Sequence, residues 1–233
     1  MKLDKSPITI LDMFNSIASQ YDVMNDIMTG FSHRRTRKIA AQLSGFKSNE
    51  KVLDLATGTG DFAFRLYSEA QGTIIGTDIS EKMLSIALLK TRRLDANRFI
   101  SYNLADITRL PFLDETFNLC TIGFGIRNVP DPLSAMIEVA RVTKKGGRFI
   151  IVEATPSPHS LVKFLSLFHF QKLAPLFARL LSSNVSAYNY FAESISQFPK
   201  ASDFAETIKQ AGWKKVYHQP LYLGIVTIFI AIK

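Results

Sequence analysis

The chain's 233 residues suffice for one α/β domain of ordinary size or for two small ones, and its 47% hydrophobic and 21% charged content excludes a disordered or fibrous chain. Lys and Arg number 28 against 20 Asp and Glu, and the net charge of +8 favours anionic partners, whether nucleic acid, phosphate-bearing metabolites or an acidic membrane surface. Cys120 is the single cysteine, which excludes an internal disulfide and a multi-cysteine metal site and suits a reducing cytosol; no metal is expected.

Near the N-terminus, Asp12 interrupts the apolar stretch after Pro7, so no export signal is expected there. From Leu11 to about Leu43, apolar residues at Ile17, Tyr21, Met24 and Met28 followed by the basic run His33 to Lys38 predict two helices capping the main fold. The basic run reads as a solvated helix face or as part of a lipid-facing surface. Lys51 to Ala56 predicts a strand, Thr-Gly-Thr-Gly a turn, and Phe62, Leu66 and Tyr67 one face of a helix. Thr73 to Thr77 is a second strand closing on Asp78, after which Ser80 caps a helix through Met83, Leu84, Ala87 and Leu88. Arg98 to Leu104 and Phe117 to Gly123 are the third and fourth strands, Pro132 to Val142 a helix, and Arg148 to Val152 a fifth strand after a Gly146-Gly147 stop. Beyond a long insertion, Ala201 to Ala211 is helical. Trp213 to Tyr217 and Leu223 to Ile232 follow with no helix between them and should pair as an antiparallel edge hairpin. The alternation predicts a seven-stranded, mostly parallel sheet with helices on both faces. No window approaches ~20 uncharged apolar residues, so no spanning helix is expected.

In Lys51-Val-Leu-Asp-Leu-Ala-Thr-Gly-Thr-Gly-Asp61, Gly58 and Gly60 let the backbone turn sharply, so that a ligand approaches the main chain and the helix N-terminus without a clashing Cβ. The same string meets the dinucleotide fingerprint G-x-G-x-x-G/A, and a nicotinamide-dependent oxidoreductase must be weighed. The flanking acids separate the two readings. A pyrophosphate at the turn would be repelled by Asp54 and Asp61 at a cost on the order of several tenths of a kcal/mol each. A sulfonium cofactor with an ammonium group would be attracted. Asp78, ending the second strand, is placed to accept both ribose hydroxyls of either cofactor. Asp106 lies at the expected edge of an adenine pocket, with Ile107 as an apolar contact to the ring. Helix capping and loop solvation are the alternative roles of Asp54, Asp61 and Asp106, but all these acids fall at the carboxyl ends of strands, where such sheets bind ligands.

The runs YDVMND (Tyr21 to Asp26), LDLATGTGD (Leu53 to Asp61), LPF (Leu110 to Phe112), GFGIRNV (Gly123 to Val129) and YFAESI (Tyr190 to Ile195), with the helix ending Ala211-Gly212-Trp213, resemble the ubiquinone/menaquinone biosynthesis C-methyltransferases over nearly the whole chain. The resemblance implies a Rossmann-like class I methyltransferase fold with S-adenosylmethionine as cofactor. It also implies methylation of a ring carbon in a polyprenylated quinol: demethylmenaquinol, 2-methoxy-6-polyprenyl-1,4-benzoquinol, or both. The family's cofactor contacts carry over to Thr59, Asp78, Asp106, Ile107 and Gly123. Asp106-Ile107 departs from the Asn-Ala or Asp-Ala of many members, and Gly123 replaces a Ser found in some, leaving only backbone there. The layout expected is one domain: a helical cap (1–46), a cofactor core (47–153), a helical lid (154–199) and a C-terminal helix and hairpin (200–233).

For the chemistry, a phenol near pKa 10 must drop by roughly 3 units, about 4 kcal/mol, to ionise at neutral pH. Arg127 is the candidate to stabilise the phenolate or position a water, because a guanidinium stays protonated; a surface ion pair is its alternative. Asn128 orients the same oxygen, Tyr21 and Asp22 reach the site as a lid, and His169 is the candidate titrating base. For Tyr21 the alternative is core packing, and for His169 a helix-face position. His33, His159 and His218 read as structural or solvated, and Cys120 as core. Between Glu153 and Glu193 no acid occurs, while Lys163, Lys172 and Arg179 stand among many Phe and Leu. Leu161, Phe164, Leu165 and Phe168 form one apolar stripe and Leu173, Leu176, Phe177 and Leu180 another, with Lys172 and Arg179 opposite the second. Such a helix either lies on an anionic bilayer or packs as a cap on the sheet. The partners expected are a polyprenylated quinol and the inner face of the cytoplasmic membrane, with the oligomeric state left open. No nucleic acid is expected, since the basic residues interleave with aliphatic stripes instead of forming an open aromatic platform. The rivals are a methyltransferase of RNA or another small molecule, the oxidoreductase, and a non-catalytic lipid-binding protein that keeps the fold.

Overall fold

The computed structural model describes residues 3–168 and 185–233. The cap consists of three helices instead of the two expected. α1 (Pro7–Ile17) starts at a proline, with the Ser6 hydroxyl accepting from the Thr9 N–H. The single turn Ala18–Gln20 separates it from α2 (Tyr21–Thr29), which stops at Gly30 because that residue adopts a left-handed φ of 54°. α3 (Ser32–Leu43) follows. Helical periodicity runs through both joints, so the apolar pattern could not reveal them.

The alternating region then runs β1 (Lys51–Leu55), α4 (Asp61–Glu69), β2 (Thr73–Asp78), α5 (Glu81–Arg93), β3 (Ile100–Leu104), β4 (Phe117–Gly123), α6 (Pro132–Val142) and β5 (Thr143–Ala154). α7 (Ser160–Phe168) and α8 (Val185–Ser196) flank the undescribed stretch, and α9 (Ala201–Gln210), β6 (Lys215–Leu221) and β7 (Val226–Ile232) end the chain. The seven strands form one sheet in the order β3-β2-β1-β4-β5-β7-β6. β7 alone runs antiparallel to its neighbours, β5 and β6, as the predicted hairpin requires. Alternate residues of β1 face opposite cores. Val52 packs with Phe62, Leu66 and Ile150 on the α3–α4 side, and Leu53 with Phe117, Val139 and Trp213 on the α6–α9 side.

Several boundaries differ from expectation. Gly146-Gly147 does not stop a helix before β5; it lies inside that strand. Pairing with β4 skips there from Phe117↔Thr143 to Leu119↔Arg148, and a Cβ on Gly147 would stand 2.6 Å from Thr143 Cγ2. The glycines thus absorb a bulge. Trp213 precedes β6 and is buried against Phe149 (ring centroids 5.3 Å), its indole N–H donating to Met136 O at 3.3 Å. Leu223 belongs to the turn Tyr222–Gly224 between β6 and β7. Cys120 is buried in β4, and burial pushes its thiol up to about 12, consistent with a core role. No helix among the described residues is long and apolar enough to cross a membrane.

Candidate active site

The turn after β1 is shaped by φ angles of +56° at Gly58 and +88° at Gly60. At Gly58 that conformation alone calls for glycine, since an added Cβ would meet nothing closer than Tyr21 Cε1 at 3.9 Å. At Gly60 space matters as well. A Cβ would lie 2.8 Å from Tyr102 Oη and 2.9 Å from Phe64 Cζ, so Gly60 serves close packing behind the turn. The Thr57 N–H donates to Thr77 O at 2.9 Å and ties the turn to β2. The Gly58 N–H donates to Asp78 Oδ2 at 2.8 Å and the Ser80 N–H to Oδ1 at 2.9 Å. Burial raises the Asp78 pKa, and these two donors oppose the rise.

Across the ends of β1 to β4 lies a cleft of about 810 Å³ including its open mouth, lined by Gly58, Asp78, Asp106, Ile107, Gly123 and Asn128 and roofed by Ile10, Phe14 and Tyr21 of the cap. Asp106 uses Oδ1 to accept both the Thr108 N–H and its hydroxyl at 2.8 Å, which fixes the loop after β3. Beside the turn a polar recess of about 290 Å³ is lined by Tyr21, Arg37, Asp54, Thr59, Asp61 and Gly123 among others. Asp54 is fully buried, with the Thr121 hydroxyl donating to Oδ1 and the Thr57 hydroxyl to Oδ2, each at 2.6 Å. Burial outweighs those bonds and raises its pKa to about 6. Asp61 behaves oppositely: burial pushes it up, but Arg37 and Lys90 bring it below the usual carboxylate range. Lys90 Nζ lies 3.1 Å from Asp61 Oδ1 and also pairs with Asp22, whose Oδ1 accepts the Thr59 hydroxyl at 2.6 Å. The charge of Asp61 is therefore largely balanced within the protein, whereas that of Asp54 has no ion-pair partner within salt-bridge distance among the described residues.

A third cavity, about 1680 Å³ including its mouth, extends from Tyr21 between the cap and helices α7 and α8, with walls that include Arg37, Phe124, Arg127, Leu165, Phe191 and Leu223. Tyr21 borders all three spaces. Arg127 is buried instead of lying on the surface. Its Nη1 donates to Glu153 Oε1 and to Phe124 O, both at 2.7 Å, its Nε donates to Ser194 Oγ at 3.2 Å, and the Phe191 ring centroid is 4.7 Å away. Glu153, fully buried in β5, was not anticipated from the sequence: an acid at the end of an apolar strand resembles a strand terminus, and its ion pair spans 26 residues. Asn128 Oδ1 is buried with no hydrogen-bond partner among the described residues, as is Tyr190 Oη, and both residues line a smaller cavity beside Met24 and Met28. Of the basic run, read as a solvated or lipid-facing face, His33 and Arg37 are buried, in line with the structural alternative for His33, while Arg34, Arg35 and Lys38 are exposed. His33, Thr36, Arg37, Ala40 and Ala41 form the buried stripe of α3, a stripe that is partly polar. His169, Lys172 and Arg179 lie outside the described residues.

The model of the ubiE/COQ5 methyltransferase family matches residues 2–233. A demethylmenaquinone methyltransferase of Paenarthrobacter aurescens is 38% identical over 99% of this chain and 88% of its own length. The ubiquinone/menaquinone biosynthesis C-methyltransferase UbiE of Saccharophagus degradans is 35% identical over 96% and 91%. Among solved structures, a putative S-adenosyl-L-methionine-dependent methyltransferase of Methanococcus maripaludis superposes with a TM-score of 0.68 at 17% identity, covering 94% of this chain and 93% of that one. On the whole-chain match and these identities, the chain belongs to the ubiE/COQ5 methyltransferase family.

Proposed function

We propose that this protein transfers a methyl group from S-adenosylmethionine to a ring carbon of a polyprenylated quinol, demethylmenaquinol or 2-methoxy-6-polyprenyl-1,4-benzoquinol or both. The observation that carries the reading is the junction at Tyr21, where a cleft with acids at the strand ends meets a large, mainly apolar cavity. Bound S-adenosylmethionine supplies an electrophilic methyl group. The cleft suits it: Asp78 retains acceptor capacity for a ribose after binding two N–H groups, Asp106 and Ile107 stand where an adenine would lie, and Asp54, Thr59 and the Gly58 and Gly123 backbone face the remaining end.

Positioning is the protein's main task, since the reacting carbon must approach in line at ~3–3.5 Å. Tyr21 borders both chambers and is suited to align the ring. Arg127 carries a charge already compensated by Glu153, so it serves better to orient a ring oxygen or a water through a hydrogen bond than to offer net positive charge. Asn128 Oδ1, a buried acceptor without a partner among the described residues, is suited to receive a quinol O–H. The isoprenoid tail would leave along Leu165, Phe191 and Leu223. Peripheral membrane association is part of this reading. Leu161, Phe164, Leu165 and Phe168 of α7 are exposed, with Phe164 at 65%, beside Leu223 at 67% and near the exposed Lys163. The test is product mass after incubation with S-adenosylmethionine and each demethylated ring in reduced and oxidised form. Methylation of the reduced form alone is expected, and methylation of neither form contradicts the reading.

A further inference from the structure

The small chamber beside Met24 and Met28 encloses about 450 Å³ including its mouth and lies between the cleft and the apolar cavity. It shares Phe14, Tyr21 and Asn128 with the first and Asn25, Met28, Arg127 and Phe191 with the second. Two elements bring polar groups to it. Asn128 ends the single turn Ile126–Asn128 after β4 and is 7% exposed. Tyr190 comes from α8, where Ala187, Tyr190, Phe191 and Ser194 recur at helical spacing. The first three line the chamber, while Ser194 Oγ accepts from Arg127 Nε at 3.2 Å and ties this face of α8 to the turn. Asn128 Oδ1 and Tyr190 Oη are both buried without a hydrogen-bond partner among the described residues. Leaving a buried polar atom unpaired is destabilising, and two in one chamber point to a ligand that pairs with both. Burial pushes the Tyr190 phenol up to about 12 against the opposing pull of Arg127, so the hydroxyl keeps its proton and remains a donor at neutral pH.

We propose that Tyr190 is a ring-binding residue of this chamber: it donates to one oxygen of the quinol while Asn128 Oδ1 accepts from the hydroxyl para to it, so that the ring is held by both oxygens. The proposal rests on the methyl acceptor being a polyprenylated quinol. Which oxygen each residue holds follows from the spaces they border. Asn128 borders the cleft as well as the chamber, so its hydroxyl is the one beside the reacting carbon. Tyr190 borders the chamber and neither of its neighbours, which places its oxygen on the far side of the ring, next to the carbon that carries the tail. The tail then leaves past Met28, Arg127 and Phe191, where the chamber opens into the apolar cavity. Met13, Met24 and Met28 supply adaptable apolar walls for the rest of the ring. A quinol offers a hydrogen to Asn128 and a lone pair to Tyr190, whereas a quinone presents only acceptors and would set a carbonyl against Asn128 Oδ1. The donor and acceptor together therefore read the reduced para-diol.

The test uses protein saturated with S-adenosylhomocysteine, which permits no turnover. It measures calorimetric binding of demethylmenaquinol and 2-methoxy-6-polyprenyl-1,4-benzoquinol with single-isoprene tails, each kept reduced, and of the analogue of each that lacks the hydroxyl next to the tail-bearing carbon. The wild type is expected to prefer at least one diol over its analogue by ~10-fold. Tyr190→Phe should weaken that diol by the same factor and leave the analogue unchanged. Because the substitution removes a hydroxyl that has no partner in the folded chain, it should not lower the urea midpoint. A merely structural Tyr190 would instead move the midpoint or both ligands together. Tyr190→Phe that binds the diol as tightly as the wild type, or that weakens diol and analogue alike, overturns the role of Tyr190 with the quinol reading intact. If Tyr190→Phe does not fold, the wild type decides: the ~10-fold preference supports the proposal and equal binding of diol and analogue overturns it. A wild type that binds neither diol overturns the quinol reading itself.

Discussion

Asp54 shows how a residue's environment sets its titration. Its folded pKa of about 6 lies above the ordinary aspartate value of 3.8, so between those values the folded state binds more protons than the unfolded. Its contribution to stability therefore falls as pH rises from about 4 to about 6 and is constant above. The unfolding free energy of Asp54→Asn minus that of the wild type should grow across that window by on the order of 3 kcal/mol and then level off, as measured by urea titration at stepped pH. A flat difference would mean that Asp54 is ionised throughout. Glu153 and Arg127 form a buried ion pair. Glu153→Ala strands a buried guanidinium and should cost about 3–5 kcal/mol, read from the denaturation midpoint; Glu153→Gln, which keeps an acceptor, should cost less. At Asp78, replacement by Ala removes the acceptor for the Gly58 and Ser80 N–H groups and for a ribose. Cofactor Kd should rise ~10- to 100-fold, with a much smaller change for Asp106→Ala, whose Oδ1 is occupied by its own loop. The glycines, Asp54 and Asp78 were legible because backbone freedom and a carboxylate at a strand end have local signatures. Arg37 and Glu153 were not. Their roles depend on pairings across elements, and polar residues on a buried stripe look like a solvated face until the partner is known.

Among the elements, α2 is fastened to α5 and to the turn after β1 through Asp22. Asp22 pairs with Lys90 of α5 and accepts from Thr59 of the turn, while Asn15 Oδ1 of α1 accepts the Ser80 hydroxyl at 2.7 Å. These contacts hold the cap over the cleft that Phe14 and Tyr21 roof. Each is partly exposed, so Lys90→Ala should lower global stability by only about 0.5–1 kcal/mol, yet it should speed release of bound S-adenosylhomocysteine several-fold in a stopped-flow displacement experiment. An unchanged release rate would mean that the cap opens elsewhere. β4 and α6 matched expectation residue for residue, since each is a compact run bounded by a proline or a glycine. The cap divided into three because Gly30 breaks it without disturbing the apolar spacing. β5 started early because its glycines bulge within the strand.

For the molecule as a whole, the net charge of +8 and the exposed apolar side chains of α7 and Leu223 lie together in one account of a substrate that stays in the bilayer. Binding to anionic vesicles should weaken as salt rises and weaken further in Phe164→Asp plus Leu165→Asp, as followed by sedimentation; binding insensitive to both would remove the membrane from the account. Fold class was readable from strand and helix alternation alone, because each βα unit carries its own period and stop signal. The substrate class was readable only through the family motifs, for the cavity that would receive it is assembled from the cap, the loop after β4, α7, α8 and the β6–β7 turn. The most direct measurement is transfer of a labelled methyl group from S-adenosylmethionine to prenylated demethylmenaquinol, to the prenylated benzoquinol, to the same rings without tails and to transfer RNA. The account predicts label in at least one prenylated quinol, less in its tail-free ring and none in RNA, whereas label in RNA alone or in no quinol would contradict it.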